Sequence, residues 1–288
     1  MSNSIALGAD VGGSHITTAL VDLENGDIIA KSYVRSSVNA QGDVAGVIST
    51  WSSAIQSTLE KGGVEVEKIG MAIPGPFDYH HGISLIRGQG KYDSIYGLNV
   101  KQLLTESLGV SMNQIRLVND AASFLSGEVL AGAGKGYDHA IGLTLGTGLG
   151  SATYHQHIVK DADRWHTPFR EGIAEDYLST RWFEREFENR TQKLVSGVKK
   201  LAEMAATHDV ARRLFEEFGA TLGEFLIPFI DEEQPEVIVL GGKIVHADKL
   251  FLPAIEQCLI EAGIATPVKR AMLGETAALI GAASSWKP

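Results

Sequence analysis

One arrangement occurs twice in this chain. Near residue 10, and again near residue 146, an apolar strand runs into a glycine-rich turn that carries a hydroxyl, and a second strand follows. In the first copy, 5–9 is a short apolar run, the turn is Asp10-Val11-Gly12-Gly13-Ser14, and 15–23 alternates with Thr17, Ala19 and Val21 on one face. In the second, Leu145-Gly146-Thr147-Gly148-Leu149-Gly150-Ser151 lies inside the stretch 138–157. Period-two alternation on either side of a turn marks a β-hairpin. Two such hairpins predict two lobes of similar build around a central cleft.

Strands and helices alternate around the hairpins. A third strand, 28–34, is expected after the turn Glu24-Asn25-Gly26-Asp27, since Asn-Gly is hairpin chemistry. Val44, Val47, Ile48, Trp51, Ile55 and Leu59 recur at helical spacing, and Gly62-Gly63 offers a C-cap. A strand at 68–73 stops at Pro74-Gly75-Pro76. The stretch 78–98 has no period and reads as a long functional loop or an irregular edge. A helix at 100–108, a strand at 116–118 and a helix at 121–131 follow. Beyond the second hairpin, helices are expected at 175–188, 193–206 and 209–230, a strand at 237–240 and a last helix at about 275–283. The class is α/β. At roughly 150 residues per domain, 288 residues make about two. The expected division is an N-terminal α/β lobe, 1–118, and a C-terminal α/β lobe, 119–288, with the last helix, about 275–288, free to pack back on the first.

Composition narrows the function. Hydrophobic residues at 44% and charged residues at 21% are those of a globular protein. The net charge of −10 repels a polyanion, and no basic run exceeds Lys199-Lys200 or Arg212-Arg213, so no nucleic-acid partner is expected. The single Cys258 excludes an internal disulfide and a cysteine-rich zinc site, and reads as a small buried hydrophobe on a helix. No apolar run reaches the ~18 residues of a membrane span, and Met1-Ser2-Asn3-Ser4 has no basic leader region. A soluble, cytoplasmic protein without a membrane partner is the expectation.

Five motifs could carry chemistry, each beside a plainer reading. Asp10 with Gly12, Gly13 and Ser14 is either a simple hairpin turn or a set of backbone N–H groups around phosphate, with Asp10 ordering a hydrated Mg²⁺. Gly146, Thr147 and Gly148 form a second such turn. Ser151 stands where a dinucleotide fingerprint needs Gly, and this turn joins strand to strand. Gly132-Ala133-Gly134-Lys135 and Gly241-Gly242-Lys243 both lack the Ser or Thr of a P-loop. Asn119-Asp120, between a strand and a helix, is an N-cap pair or a general base beside a hydroxyl-binding amide. Gly241-Gly242 closes a buried strand, as a plain turn or as bare backbone under a nucleobase or ribose. Asp163-Arg164-Trp165-His166, followed by Gly172 to Tyr177, is a solvated loop or a grip on sugar hydroxyls.

Taken together and in this order, the motifs resemble those of the ROK family, bacterial sugar kinases with their repressor and other relatives. Asp10 to Ser14 is similar to the family's first phosphate motif, D-x-G-G-T, and Pro74-Gly75-Pro76 to the strand end bordering the sugar. Asn119-Asp120 is similar to the N-D pair, Glu128 and Gly132 to the E-x-x-x-G after it, Leu145 to Ser151 to the second phosphate loop, and Gly241-Gly242 to the adenosine-side glycines. The chain departs from the family in three places. His15 stands where Lys is usual. Asp163 to His166 is a degenerate form of E-x-G-H. The loop of three cysteines that binds structural zinc is missing, since only five residues separate His166 from Gly172. Gly172 to Ser179 still tracks the family segment, with Glu175 on its sugar-binding glutamate. No zinc is expected. His155 and His157, two apart on one strand face, could bind a metal with His166, and a plain strand surface is the simpler reading.

The resemblance implies the actin-like ATPase (ribonuclease H-like) fold and ATP-dependent phosphorylation of a hexose or amino-hexose hydroxyl. Asp120 would be the general base; Gly75, Asn119, His166 and Glu175 would bind sugar. Asp10, Gly12, Gly13, Ser14, Gly146, Thr147, Gly148, Gly241 and Gly242 would bind ATP, with Mg²⁺ held by Asp10 through water. Selectivity among sugars is expected from 77–96 and 165–169. Relatives are often dimers, so a second copy is an expected partner. The rival is a catalytically weak sugar-binding protein or regulator of the same fold. A DNA-binding repressor is disfavoured, because the first phosphate motif begins at residue 10, leaving no room for the winged helix those repressors carry before it.

Overall fold

Both hairpins form, and each becomes the first part of a five-stranded sheet. The computed structural model describes residues 4–287. In the first sheet β1 (Ile5–Val11), β2 (His15–Asp22), β3 (Val34–Ser37), β4 (Ile69–Ile73) and β7 (Ile115–Asn119) lie in the order β3-β2-β1-β4-β7. In the second, β8 (His139–Leu145), β9 (Leu149–His155), β10 (Ile158–Asp161), β13 (Val237–Gly241) and β14 (Val268–Arg270) lie in the order β10-β9-β8-β13-β14. The pairing repeats as well. The first three strands of each sheet run antiparallel and the last two run parallel to the first. Two short hairpins complete the strands: β5 (Phe77–Asp78) with β6 (Ile83–Ser84), and β11 (Pro168–Phe169) with β12 (Gly172–Ile173).

The chain divides into two compact units: residues up to 135 together with those from 275, and residues 136–274. The boundary thus lies after 135, not after 118 as the sequence predicts, because α3 (Asp120–Ala131) packs on α9 (Ala277–Ser284). In the first unit, strand alternation sends Leu7, Ala9 and Val11 into one core with Trp51 and Ile55 of α1 (Val44–Gly62). Gly8, Asp10 and Gly70 point to the other face, against α9. A Cβ on Gly8 would run into the carbonyl of Leu279, and one on Gly70 into that of Ala282. α2 (Val100–Leu108) lies beside α1. The second unit packs its sheet under aromatic side chains of α5 (Thr180–Thr191) and α7 (Asp209–Glu233), with Phe183, Phe187, Phe215 and Phe218 fully buried.

Several elements differ from expectation. The third strand begins at Val34, not 28, since Ala30–Ser32 is a 3₁₀ turn. There the buried Ser32 hydroxyl accepts from Leu20 N–H at 2.8 Å, replacing a strand carbonyl. The helix expected at 175–188 is two, α4 (Ala174–Tyr177) and α5. The break leaves the first N–H of α5 free to be used elsewhere. The helix expected at 193–206 shrinks to α6 (Val198–Met204), held off by Gly197 at φ +80°. α8 (Leu252–Glu261), whose bounds the sequence left open, is the helix expected around Cys258; it packs on α7, where Cys258, partly rather than fully buried, abuts Gly223.

Candidate active site

In the first unit, the end of β1 and the start of α3 each present a carboxyl. Asp10 stands one residue before β1 ends, paired with Thr17, on the sheet face that α9 covers. Burial, reinforced by the charges of Asp120 and then Glu275 and opposed by Arg35, raises its pKa from 3.8 to about 7. Asp120 opens α3. The helix cap is its neighbour: Asn119 Oδ1 accepts from Ala122 N–H at 3.0 Å. Asp120 is therefore not the N-cap, and its carboxyl accepts from the adjacent Ala121 N–H at 2.9 Å. Burial pushes its pKa up, while Lys91 and the N–H groups at the helix start pull it down.

In the turn at Gly12 to Ser14, Gly13 and Ser14 are exposed and Gly12 half-buried, with Gly12 N–H bonded to His15 O at 2.9 Å and Ser14 Oγ at 2.9 Å from His15 Nδ1. Neither glycine has positive φ, so bare backbone, not a special dihedral, is what they provide. The Tyr92 phenol donates to Gly12 O at 2.5 Å. Gly75 faces the Asn119 amide and the Tyr79 hydroxyl, and that hydroxyl also donates to Ile73 O at 3.0 Å. Glu128 is buried and serves the fold: its carboxylate accepts from Ala133 N–H at 2.8 Å.

The second unit gathers its own group. The turn at Gly146 to Gly148 is fixed from three sides. The N–H and hydroxyl of Thr180, at the break between α4 and α5, donate to Gly146 O at 2.8 and 2.9 Å. Glu175 of α4 accepts from Leu149 N–H at 3.0 Å, is paired with Arg181, and lies so close to Gly148 that its carboxylate would have to shift to admit a Cβ there. Gly242, at φ +89°, passes so near the Leu145 carbonyl that any side chain would clash; Gly241 ends β13 before it. Thr147 is exposed at the tip. His166 sits on the 3₁₀ turn Arg164–His166, its exposed ring against Trp165 at 5.0 Å and its Nδ1 3.7 Å from Asp163. His157 does not share a strand face with His155: it occupies the β9–β10 turn at φ +77°, and His155 pairs with Glu233 at 2.7 Å.

After His166 the chain makes the tight β11–β12 hairpin. Phe169 packs on Tyr177 and Phe225 at 5.7 and 6.0 Å, and Arg170 lies over Phe169 while pairing with Glu224 at 2.6 Å. Aromatic packing and one ion pair hold this loop. Among the described residues no three His, Cys, Asp or Glu side chains group to hold a metal.

Four residues of these sites carry no signal in the sequence: Lys91, Arg35, Glu275 and Thr180. Arg35 and Glu275 pair at 2.7 Å across 240 residues of sequence. No periodicity could have found them.

The charge on Asp10 makes stability depend on pH. The folded chain holds this proton more tightly than an unfolded one, so the stabilisation is complete below pH 3.8 and fades as pH rises through about 7. Asp10→Asn cannot ionise. Its melting temperature relative to the unsubstituted protein should therefore rise from about pH 5 to about pH 8, in thermal scans across that range. A constant difference would show that Asp10 ionises as freely folded as unfolded.

The sequence model of the ROK family matches residues 6–164 and 166–288. The chain is 25% identical to a glucokinase of Thermotoga maritima, with 96% of each chain aligned. A ROK hexokinase structure from Thermus thermophilus superposes with a TM-score of 0.82 at 24% identity, over 98% of this chain and 97% of that one. A ROK family glucokinase from Streptomyces griseus, solved with glucose and AMPPNP, gives 0.77 at 24% identity over 98% of each. The shared architecture is the actin-like ATPase fold expected from the sequence. Among the described residues no helix is long and apolar enough to cross a membrane.

Proposed function

The chain belongs to the ROK family, and from that premise we propose that it is an ATP-dependent kinase of a hexose or amino-hexose. One observation carries the reading beyond family membership. Asn119 caps α3, so Asp120 is not needed there, and its half-buried carboxyl has its pKa raised by desolvation. A general base gains from a pKa moved toward the working pH.

In this reading Asp120 accepts the proton of the attacking sugar hydroxyl. That oxygen forms the new bond to the terminal phosphorus of ATP. The bond from that phosphorus to the bridging oxygen breaks, and its electron pair leaves with ADP. Gly13 and Ser14, and Thr147 and Gly148, offer backbone N–H groups and hydroxyls to the phosphates, while Gly12 and Gly146, whose own N–H groups go to His15 O and Gly148 O, close the two turns and leave their backbone bare beside them. Gly241 and Gly242 leave room for the adenosine. Gly75, Asn119, His166 and Glu175 bind the remaining sugar hydroxyls. Glu175 can do so only through the carboxylate edge not already used by Leu149 and Arg181.

Mg²⁺ fits beside Asp10, where burial and then the charges of Asp120 and Glu275 raise the cost of ionising that carboxyl against one guanidinium, Arg35. It would neutralise phosphate charge. Mg²⁺ keeps much of its water, so Asp10 would hold it through that shell.

The test is ADP release from Mg-ATP over a panel of hexoses and N-acetylhexosamines. One acceptor should raise the rate at least tenfold over the sugar-free background. If none does, yet calorimetry detects sugar binding, the chain is a binding protein of this fold.

A further inference from the structure

We infer that Lys91 is a further catalytic residue, whose ammonium contacts the terminal phosphoryl group of the nucleotide at the Gly12–Ser14 turn. The inference rests on the kinase reading above and adds to it a residue from the aperiodic stretch before α2.

Geometry carries it. A Cβ placed on Gly13 would lie 3.8 Å from Lys91 Cδ, so the lysine stem runs alongside the first phosphate turn. The backbone around it is pinned to that turn. Tyr92 donates its phenol to Gly12 O at 2.5 Å and its N–H to Ala40 O at 2.6 Å, and Gln41 reaches Gly90 O at 3.2 Å. The Tyr92 ring is buried edge-on against Trp51, centroids 5.2 Å apart. Lys91 is thus set between two clamped residues, pre-organised relative to Gly13.

Charge completes the case. The carboxyls around this turn are Asp10, Asp120 and Glu275, and the two cations near them are Arg35 and Lys91. Arg35 is bound to Glu275 at 2.7 Å. Among the described residues Lys91 enters no ion pair, and the charge it exerts falls on Asp120. Phosphate brought to a turn flanked by three carboxyls needs a cation on the protein side, and a lysine ammonium serves as a point charge for it. In the transfer Lys91 neither gains nor loses a proton. The sugar proton goes to Asp120 and the electron pair to ADP, while the ammonium follows the phosphoryl oxygens.

The experiment compares unsubstituted protein with Lys91→Met, Lys91→Arg and Lys91→Cys, the last before and after 2-bromoethylamine, which restores an amine on the sulfur. Lys91→Met should lose about 10²-fold in kcat, the usual scale for one aimed donor. It should keep its melting temperature and its sugar affinity. Affinity for AMPPNP should fall while that for ADP, which lacks the contacted group, stays. Aminoethylation should return at least tenfold of the lost kcat, and Arg should retain an intermediate rate. Cys258 is the only native thiol, so treating unsubstituted protein in parallel reports its effect. A Lys91→Met kcat within threefold of the unsubstituted value, or equal losses for ADP and AMPPNP with no rescue, would overturn the assignment. Failure of the kinase reading is a separate result: unsubstituted protein releasing no ADP with any sugar, which removes the catalytic role before variants are compared.

Discussion

Asp120→Asn should lower kcat by about 10²- to 10⁴-fold, the range lost with a general base, and leave the melting temperature no lower than before. Asn keeps the size of Asp and can still accept the Ala121 N–H, the bond made by the native carboxylate. The helix cap is untouched, because Asn119 supplies it. Burial raises the Asp120 pKa, so its ionised form costs stability and the neutral amide relieves that cost. A residue that only began a helix would show the reverse pattern, with activity kept. Paired kcat and thermal measurements decide between them. Retained activity would move the base to another residue, with His166 or Glu175 the next to test.

Gly70→Ala should destabilise the fold by about 3 kcal/mol, at the upper end of the cost of overpacking a filled interior. β4 is a central strand, and the added methyl would enter the carbonyl of Ala282 on α9. Main chain cannot swing aside as a long side chain does. Helix and strand must part, and the same displacement would disturb Glu275, which precedes the helix and acts on Asp10. Urea unfolding would read the loss directly. A change under about 0.5 kcal/mol, ordinary for a surface position, would mean that α9 does not rest on this sheet face as described.

Much of this architecture was legible because it is local. The hairpins announce themselves by alternation and glycine, α1 by its apolar spacing and by Gly63, which takes φ +64° at the C-cap. The rest is tertiary. The strand expected from 28 gives way to a 3₁₀ turn because a serine hydroxyl can satisfy Leu20, and no propensity anticipates that bond. The break after Tyr177 exists so that Thr180 can grip Gly146, thirty-four residues earlier. Asp10, Gly12 and Asp120 stand out as residue types at strand ends. Lys91 and Arg35 are ordinary surface types whose neighbours only folding supplies.

The seat of α9 also sets an order of events in the cell. Residues 136–274, the second unit, are one uninterrupted stretch of chain. The first unit is different. Its sheet exposes Gly8 and Gly70 until residues 277–284 arrive to cover them. At ~5–20 residues per second, roughly 140 residues of the other unit must be synthesised first, a wait on the order of ten seconds. The usual vectorial sequence is reversed: the half that begins emerging first is completed last. During that interval the sheet face that α9 will cover stays open.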